Sequence, residues 1–326
     1  MADLSIAYND IQQKVSLMLG WNRAHTDAVK TWSVNQESDF GLVLSSGLRK
    51  FYQSYDWSFM KPRYTLTTSA AYTTGTVTIS SGTVLGDGTD FPDESTDYWL
   101  NVGGVRYEVI ARTGDTGLTL TDTSINIATA STYSLTRYKY TLPANFGGFI
   151  GPLTYAPNQS DYYRPVEMVD DYTIRSLYMT NVLDNATEIV KAAVVPQSFT
   201  ATVGQRWELH TWPSSTSKMQ LTGNYRVVPN DLDAANLYPL GGAQHGNTIL
   251  YAVLSEAETR LWDNTTAAYQ TRYQECLAMS VRYDKSQGAP ETLGTVRAPG
   301  GSGLSVEGSL SQGTTLYSGH ESSILS

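Results

Sequence analysis

Cysteine is nearly missing from this chain: one residue of 326, Cys276, carries a thiol. A single thiol forms no internal bridge, so a disulfide framework is excluded and folding in a reducing cytosol is the natural expectation. CxxC pairs and HExxH are absent too, which removes the commonest zinc patterns. No apolar run approaches the length that spans a bilayer. The opening MADLSIAYNDIQQKV has neither a basic start nor a long apolar stretch, so no signal peptide is expected. The expectation is a soluble protein made inside the cell, with no membrane partner. Charge is scarce as well, at 16% of residues, and 22 Lys and Arg against 31 Asp and Glu leave a net charge of −9. Gripping nucleic acid through its phosphates needs clustered Lys and Arg. An acidic chain lacks that grip, although DNA can slide past such a surface without sticking.

What the chain has in excess is tyrosine, 22 residues against 7 phenylalanines. With so little charge, much of the surface falls to Ser, Thr, Asn and Gln. Tyrosine supplies apolar area and a hydroxyl that finds a partner, which suits contacts that are buried yet partly polar. The composition is that of an assembly subunit.

Periodicity divides the chain. Residues 3–19 carry Leu4, Tyr8, Ile11, Val15 and Met18 on one helical face, with Gly20 as the stop. A second helix is expected over 38–55, weakened by Gly41 and Gly47 and ending in the aromatic run YDWSFMKP. From about 64 to 142 the pattern becomes short β-rich runs punctuated by Gly, Asp and Asn, the pattern of an antiparallel β-sandwich or small barrel. A short helix over 165–178 and strands over 188–195, 198–212 and 218–229 follow. A long helix is expected over 247–283, with Asn264-Thr265-Thr266 as a break point. After Lys285 the chain is Gly- and Ser-rich and cannot by itself bury enough apolar surface to order. The expected fold class is α+β: a helical bundle formed by N- and C-terminal helices, an inserted antiparallel β domain, and an extended C-terminal arm. The expected segments are 1–63, 64–142, 143–285 and 286–326.

The candidate chemistry is thin. GDGTDFPDESTD, spanning the acids Asp87 to Asp97, opens like a calcium loop. An EF-hand counted from Asp87 places Phe91 and Pro92 at positions five and six, where an oxygen ligand and glycine belong, so that pattern fails. Asp87 and Asp90 read as turn formers around Gly86 and Gly88, with a sheet-loop calcium site of irregular spacing over Asp87 to Asp97 as the alternative. The histidines His25, His210, His245 and His320 show no metal-ligand spacing. His210 falls in the strand-like WELHTW and His245 in a loop before the long helix. There is no GxSxG elbow, Walker loop or GxGxxG between strand and helix. Gly103-Gly104 and Gly147-Gly148 read as turns or bulges. The acid pairs Asp93-Glu94 and Asp170-Asp171 read as solvated or capping groups. Trp57, Trp99, Trp207, Trp212 and Trp262 suit core and interface packing better than a carbohydrate platform. No catalytic, cofactor-binding or metal-binding residue is assigned, and no cofactor is expected.

The order of elements carries more than any motif. FGLVLSSGLRKFYQSYDWSFM ends a helix in a Trp-containing run. TTGTVTISSGTVLGDGTDFPDESTDYWLNVGGVRYEVIAR leads to TGLTLTD, and then come YTLPANF, RPVEMVD and a closing helix ILYAVLSEAETRLWDNTTAAYQTRYQECLAMSVRYD. In this order they resemble the head-to-tail adaptor (connector, or head-completion) proteins of tailed bacteriophages. The podovirus tail-tube (gatekeeper) proteins share related elements and are the neighbouring alternative. The resemblance touches most of residues 1–285 through short signatures. It implies a non-enzymatic virion protein, assembled in the host bacterial cytoplasm as a homo-oligomeric ring, a dodecamer in the family. Such a ring docks on the portal protein, extends the DNA channel without sequence-specific binding, and receives stopper, tail-tube or other tail proteins during assembly and viral genome ejection. The arm 286–326 would lie on a neighbour. The rival from a different class is a carbohydrate-binding, β-rich virion protein.

Overall fold

The computed structural model describes residues 5–25, 31–157, 164–180, 188–197, 204–261 and 267–287. It is a mixed α+β protein with five helices and a large, curled antiparallel sheet among those residues. Contacts divide the chain into two compact units, Met1–Ser58 with Asp231–Ser326, and Phe59–Asn230. The expected arm 286–326 lies outside the described residues beyond Gln287.

The first unit holds helices α1 (Tyr8–Leu19), α2 (Val34–Gln53), α4 (Gly246–Arg260) and α5 (Ala268–Gln287). Gly20 ends α1 in the left-handed conformation, φ +70°, as its position requires. A capping box starts α2 four residues earlier than its apolar pattern indicates: Ser33 Oγ accepts from the Gln36 N–H while Gln36 Oε1 accepts from the Ser33 N–H. Phe40, Val43, Leu44, Leu48 and Phe51 turn inward and are buried, as are Ile249, Val253 and Ala257 of α4. The helical stretch expected over 247–283 forms two helices, α4 ending at Arg260 and α5 starting at Ala268. Glu258, buried within α4, accepts from the N–H groups of Ala268 (3.0 Å) and Tyr269 (2.9 Å) and so caps the start of α5. The expected break residues 264–266 lie outside the described residues.

The second unit contains helix α3 (Asp171–Met179) and every strand described. In chain order these are β1 (Arg63–Thr67), β2 (Thr76–Ser80), β3 (Thr83–Asp87), β4 (Tyr98–Val102), β5 (Val105–Gly114), β6 (Gly117–Leu120) and β7 (Ile127–Ser131). Then follow β8 (Tyr133–Arg137), β9 (Lys139–Thr141), β10 (Phe146–Tyr155), β11 (Glu167–Met168), β12 (Lys191–Pro196), β13 (Trp207–Trp212) and β14 (Gln220–Val227). The seven-stranded sheet has the order β7-β2-β3-β6-β5-β4-β8. Its edge strands β7 and β8 are separated in sequence by Thr132 alone, so the sheet curls around a core of Val77, Ile79, Val84, Leu100, Leu118 and Leu135. Two smaller sheets, β1-β14-β10 and β11-β12-β13-β9, share a second core around Leu66, Leu153, Val166, Leu209 and Leu221. The β unit therefore runs on to Asn230 rather than stopping near 142. Strand β1 pairs with β14 and β9 with β13, which ties both ends of the curled sheet's segment to residues 207–227.

Candidate functional site

Strand β4 alternates strictly. Tyr98, Leu100 and Val102 point into the curled sheet, which leaves Trp99 and Asn101 on its outer face. An outward tryptophan needs cover, and Tyr138 supplies it: the rings stack 4.6 Å apart at 26°. Tyr178 closes the cluster from α3, 5.3 Å from Trp99 and 5.6 Å from Tyr138. Its helix begins at Asp170, whose carboxylate accepts from the Thr173 N–H at 3.1 Å, so Asp170 is the cap that its sequence position implies. The Tyr178 hydroxyl donates to the Thr211 carbonyl. Arg106 lies 4.9 Å over the Tyr178 ring and Lys139 5.0 Å over that of Tyr138.

Beside these rings lies an open cavity of about 590 Å³. Its lining includes the apolar Ile174, Met179 and Val195, the charged Glu108, Lys139, Asp171 and Arg175, and His210. Each carboxylate there has a cation or ring nearby. Arg175 Nε is 2.8 Å from Asp171, Lys139 Nζ 3.8 Å from Glu108, and Glu208 Oε2 3.1 Å from His210 Nε2. The His210 contact holds the Glu208 carboxyl below its ordinary range, against the opposing effect of burial. Burial pushes the Tyr138 and Tyr178 hydroxyls far above theirs, so both remain protonated donors. The other His210 nitrogen faces Asp171 at 3.9 Å. His210 is thus held between the Glu208 and Asp171 carboxylates.

The remaining sequence candidates have structural partners. His25 is buried, stacked 4.1 Å from Trp32, and its Nδ1 accepts from the N–H groups of Thr31 and Trp32 at 3.0 Å. His245 is buried against Phe51, Trp57 and Tyr283. His320 and Trp262 lie outside the described residues. In the acidic stretch, Asp97 pairs with Arg137 at 2.9 Å, and Arg112 reaches Asp115 at 2.6 Å and Asp93 at 3.4 Å. Among the described residues no group of three or more His, Cys, Asp or Glu side chains could hold a metal ion. Gly75, at φ +82°, admits the Asp87 and Gly88 backbone so closely that a Cβ would sit 2.4 Å from the Asp87 oxygen. The glycines here serve strand contact. Trp57 is fully buried, and Trp99, Trp207 and Trp212 are partly covered.

Sequence reading singled out Trp99, Asp171 and His210, each for a different reason, and the fold brings them to one cavity. It did not single out Tyr138, Tyr178 or Glu208. The usable signal was the alternation of YWLNV, which turns Trp99 outward and demands aromatic cover. No protein-family model matches the chain, and no curated protein matches it significantly.

Proposed function

We propose that this chain is a structural ring subunit of a bacteriophage head-to-tail connection, an adaptor that docks on the portal and passes DNA through its lumen. The observation that carries the reading is that both ends of the chain join in one compact unit while residues 59–230 between them form another. It is joined by the ordered signatures in which the sequence resembles phage adaptors. On this reading the helices of the first unit act as a bundle around the ring axis, and Phe59–Asn230 is an inserted β domain. The net charge of −9 suits a wall that must not hold DNA. Low charge and abundant tyrosine suit permanent subunit contacts. Residues 286–326 serve as an arm laid on a neighbouring subunit, the portal or the next ring.

Native mass spectrometry of the purified full chain, alone and with a phage portal, tests this. The expected result is a closed ring of about a dozen subunits, formed alone or on the portal. A stable monomer that ignores the portal overturns the reading.

A further inference from the structure

The cavity beside Trp99 holds more hydrogen-bonding capacity than its own contacts use. In its lining the carboxylates of Glu108 and Asp171 are matched by the cations of Lys139 and Arg175, so charge balances. Two of the contacts among these groups are wide. Lys139 Nζ stands 3.8 Å from Glu108 Oε1, and His210 Nδ1 stands 3.9 Å from Asp171 Oδ1. Both gaps exceed hydrogen-bond length, so the groups at either end keep capacity for a further partner. Arg175 Nε approaches Asp171 at 2.8 Å, and one carboxylate does not exhaust the five N–H donors of a guanidinium. Ile174, Met179 and Val195 add apolar area to the same lining.

This combination selects by chemistry. A charged guest gains little from balanced pairs, because it must compete with a partner already in place. A wholly apolar guest would cover polar groups that still need partners. A sugar hydroxyl meets both halves of a pair, since it donates to a carboxylate and accepts from a cation or ring N–H. The C–H surface of a hexose ring suits the apolar residues.

We propose that this cavity binds a neutral hexose, with sugar hydroxyls spanning the Lys139–Glu108 and His210–Asp171 gaps. Its volume of about 590 Å³ lies within the range of small-ligand sites, roughly 300–1,000 Å³. Recognition here does not depend on a flat tryptophan platform, as Trp99 is already stacked on Tyr138. Every residue of the site belongs to Phe59–Asn230, and the assignment goes beyond the ring reading without resting on it.

The test is saturation-transfer NMR on the full chain with methyl glucoside, methyl galactoside, methyl mannoside and maltose. Glucuronate, glucosamine and glycine serve as anionic, cationic and zwitterionic counterparts. At least one neutral sugar is expected to bind with a dissociation constant in the millimolar range, about 1 mM, and no counterpart to bind more tightly. Lys139→Met and Asp171→Asn each remove one side of a gap and are expected to weaken that binding about tenfold. Near-ultraviolet circular dichroism checks that both variants fold, and Glu108→Gln replaces either one that does not. Silence from every neutral sugar up to about 50 mM overturns the assignment. So does binding that the folded variants leave unchanged, which places the sugar elsewhere. A counterpart that binds about tenfold better than the neutral sugars overturns the argument from balanced charge. None of these outcomes bears on the ring, which native mass reads separately.

Discussion

Gly41 and Gly47 sit six residues apart in α2, and the sequence offers no way to tell them apart: both weaken a helix by their backbone freedom. The structure separates them. A Cβ on Gly47 would lie 2.6 Å from the Val253 Cα and 2.8 Å from its nitrogen, because the α4 backbone lies directly against it. A Cβ on Gly41 would meet nothing within 4 Å. Gly47→Ala is therefore expected to destabilise the protein by about 1–3 kcal/mol, and Gly41→Ala to stabilise it by about 0.5–1 kcal/mol. Urea unfolding of both variants checks the opposite signs. His245 makes a second residue-scale case. Burial among Phe51, Trp57 and Tyr283 lowers its pKa from the ordinary 6.5, and the nearby Asp284 charge opposes this more weakly. The fold accepts the neutral ring, so the unfolded chain takes up its proton first as pH falls. This contribution is complete above about pH 6.5 and declines below it. His245→Asn should flatten the fall in unfolding free energy between about pH 6.5 and 5 relative to wild type. Parallel curves would assign the dependence elsewhere. Nothing in GGAQHGN marks this histidine as buried, since its aromatic neighbours come from residues 51, 57 and 283.

At the scale of elements, the stretches that read well from sequence were those whose side chains obey one period. Helices α1 and α2 and strands β2 and β4 follow theirs closely. Strand β10 does not: Gly147, Gly148, Gly151 and Pro152 interrupt it, and its register against β14 shifts twice. Gly147 allows the Arg226 carbonyl to come within 3.0 Å of where its Cβ would be, so the glycines that hide the strand also make its pairing fit. The division between α4 and α5 was equally hard to place, because the group that caps α5 is Glu258, ten residues upstream. Lys50 braces the same corner, its ammonium donating to Ser255 Oγ (2.9 Å), Glu256 Oε1 (3.0 Å) and Gln270 Oε1 (2.7 Å). Glu258→Ala leaves the Ala268 and Tyr269 N–H groups without their acceptor and is expected to cost about 1–2 kcal/mol. Hydrogen exchange should report it as faster exchange confined to the first turn of α5. Unchanged protection there would show that the cap contributes nothing. The candidate cavity was legible only in pieces for the same reason. Its walls come from β4, β5, α3, β12 and β13 together with Tyr138 and Lys139, and no local period links them.

For the whole molecule, the consequential feature is the manner in which Phe59–Asn230 is inserted. Its first strand, β1, pairs directly with its last, β14, with Arg63 opposite Asn224, so the chain enters and leaves this unit through neighbouring strands. Every strand pairing described is internal to it, and both β cores are drawn from its own residues. A unit with adjacent ends, complete sheets and its own cores meets the physical requirements for folding alone. Expressed as residues 59–230, it is expected to unfold in one cooperative urea transition, and to keep the native arrangement of Trp99, Tyr138 and Tyr178 in its near-ultraviolet circular dichroism. The first unit gains no such independence, since its helices come from segments separated by 172 intervening residues (59–230) and meet only after that length of chain is spanned. A broad, non-cooperative transition in the excised unit would mean that its cores need the helices after all. A cooperative one would establish that residues 59–230 carry all the contacts their own fold needs.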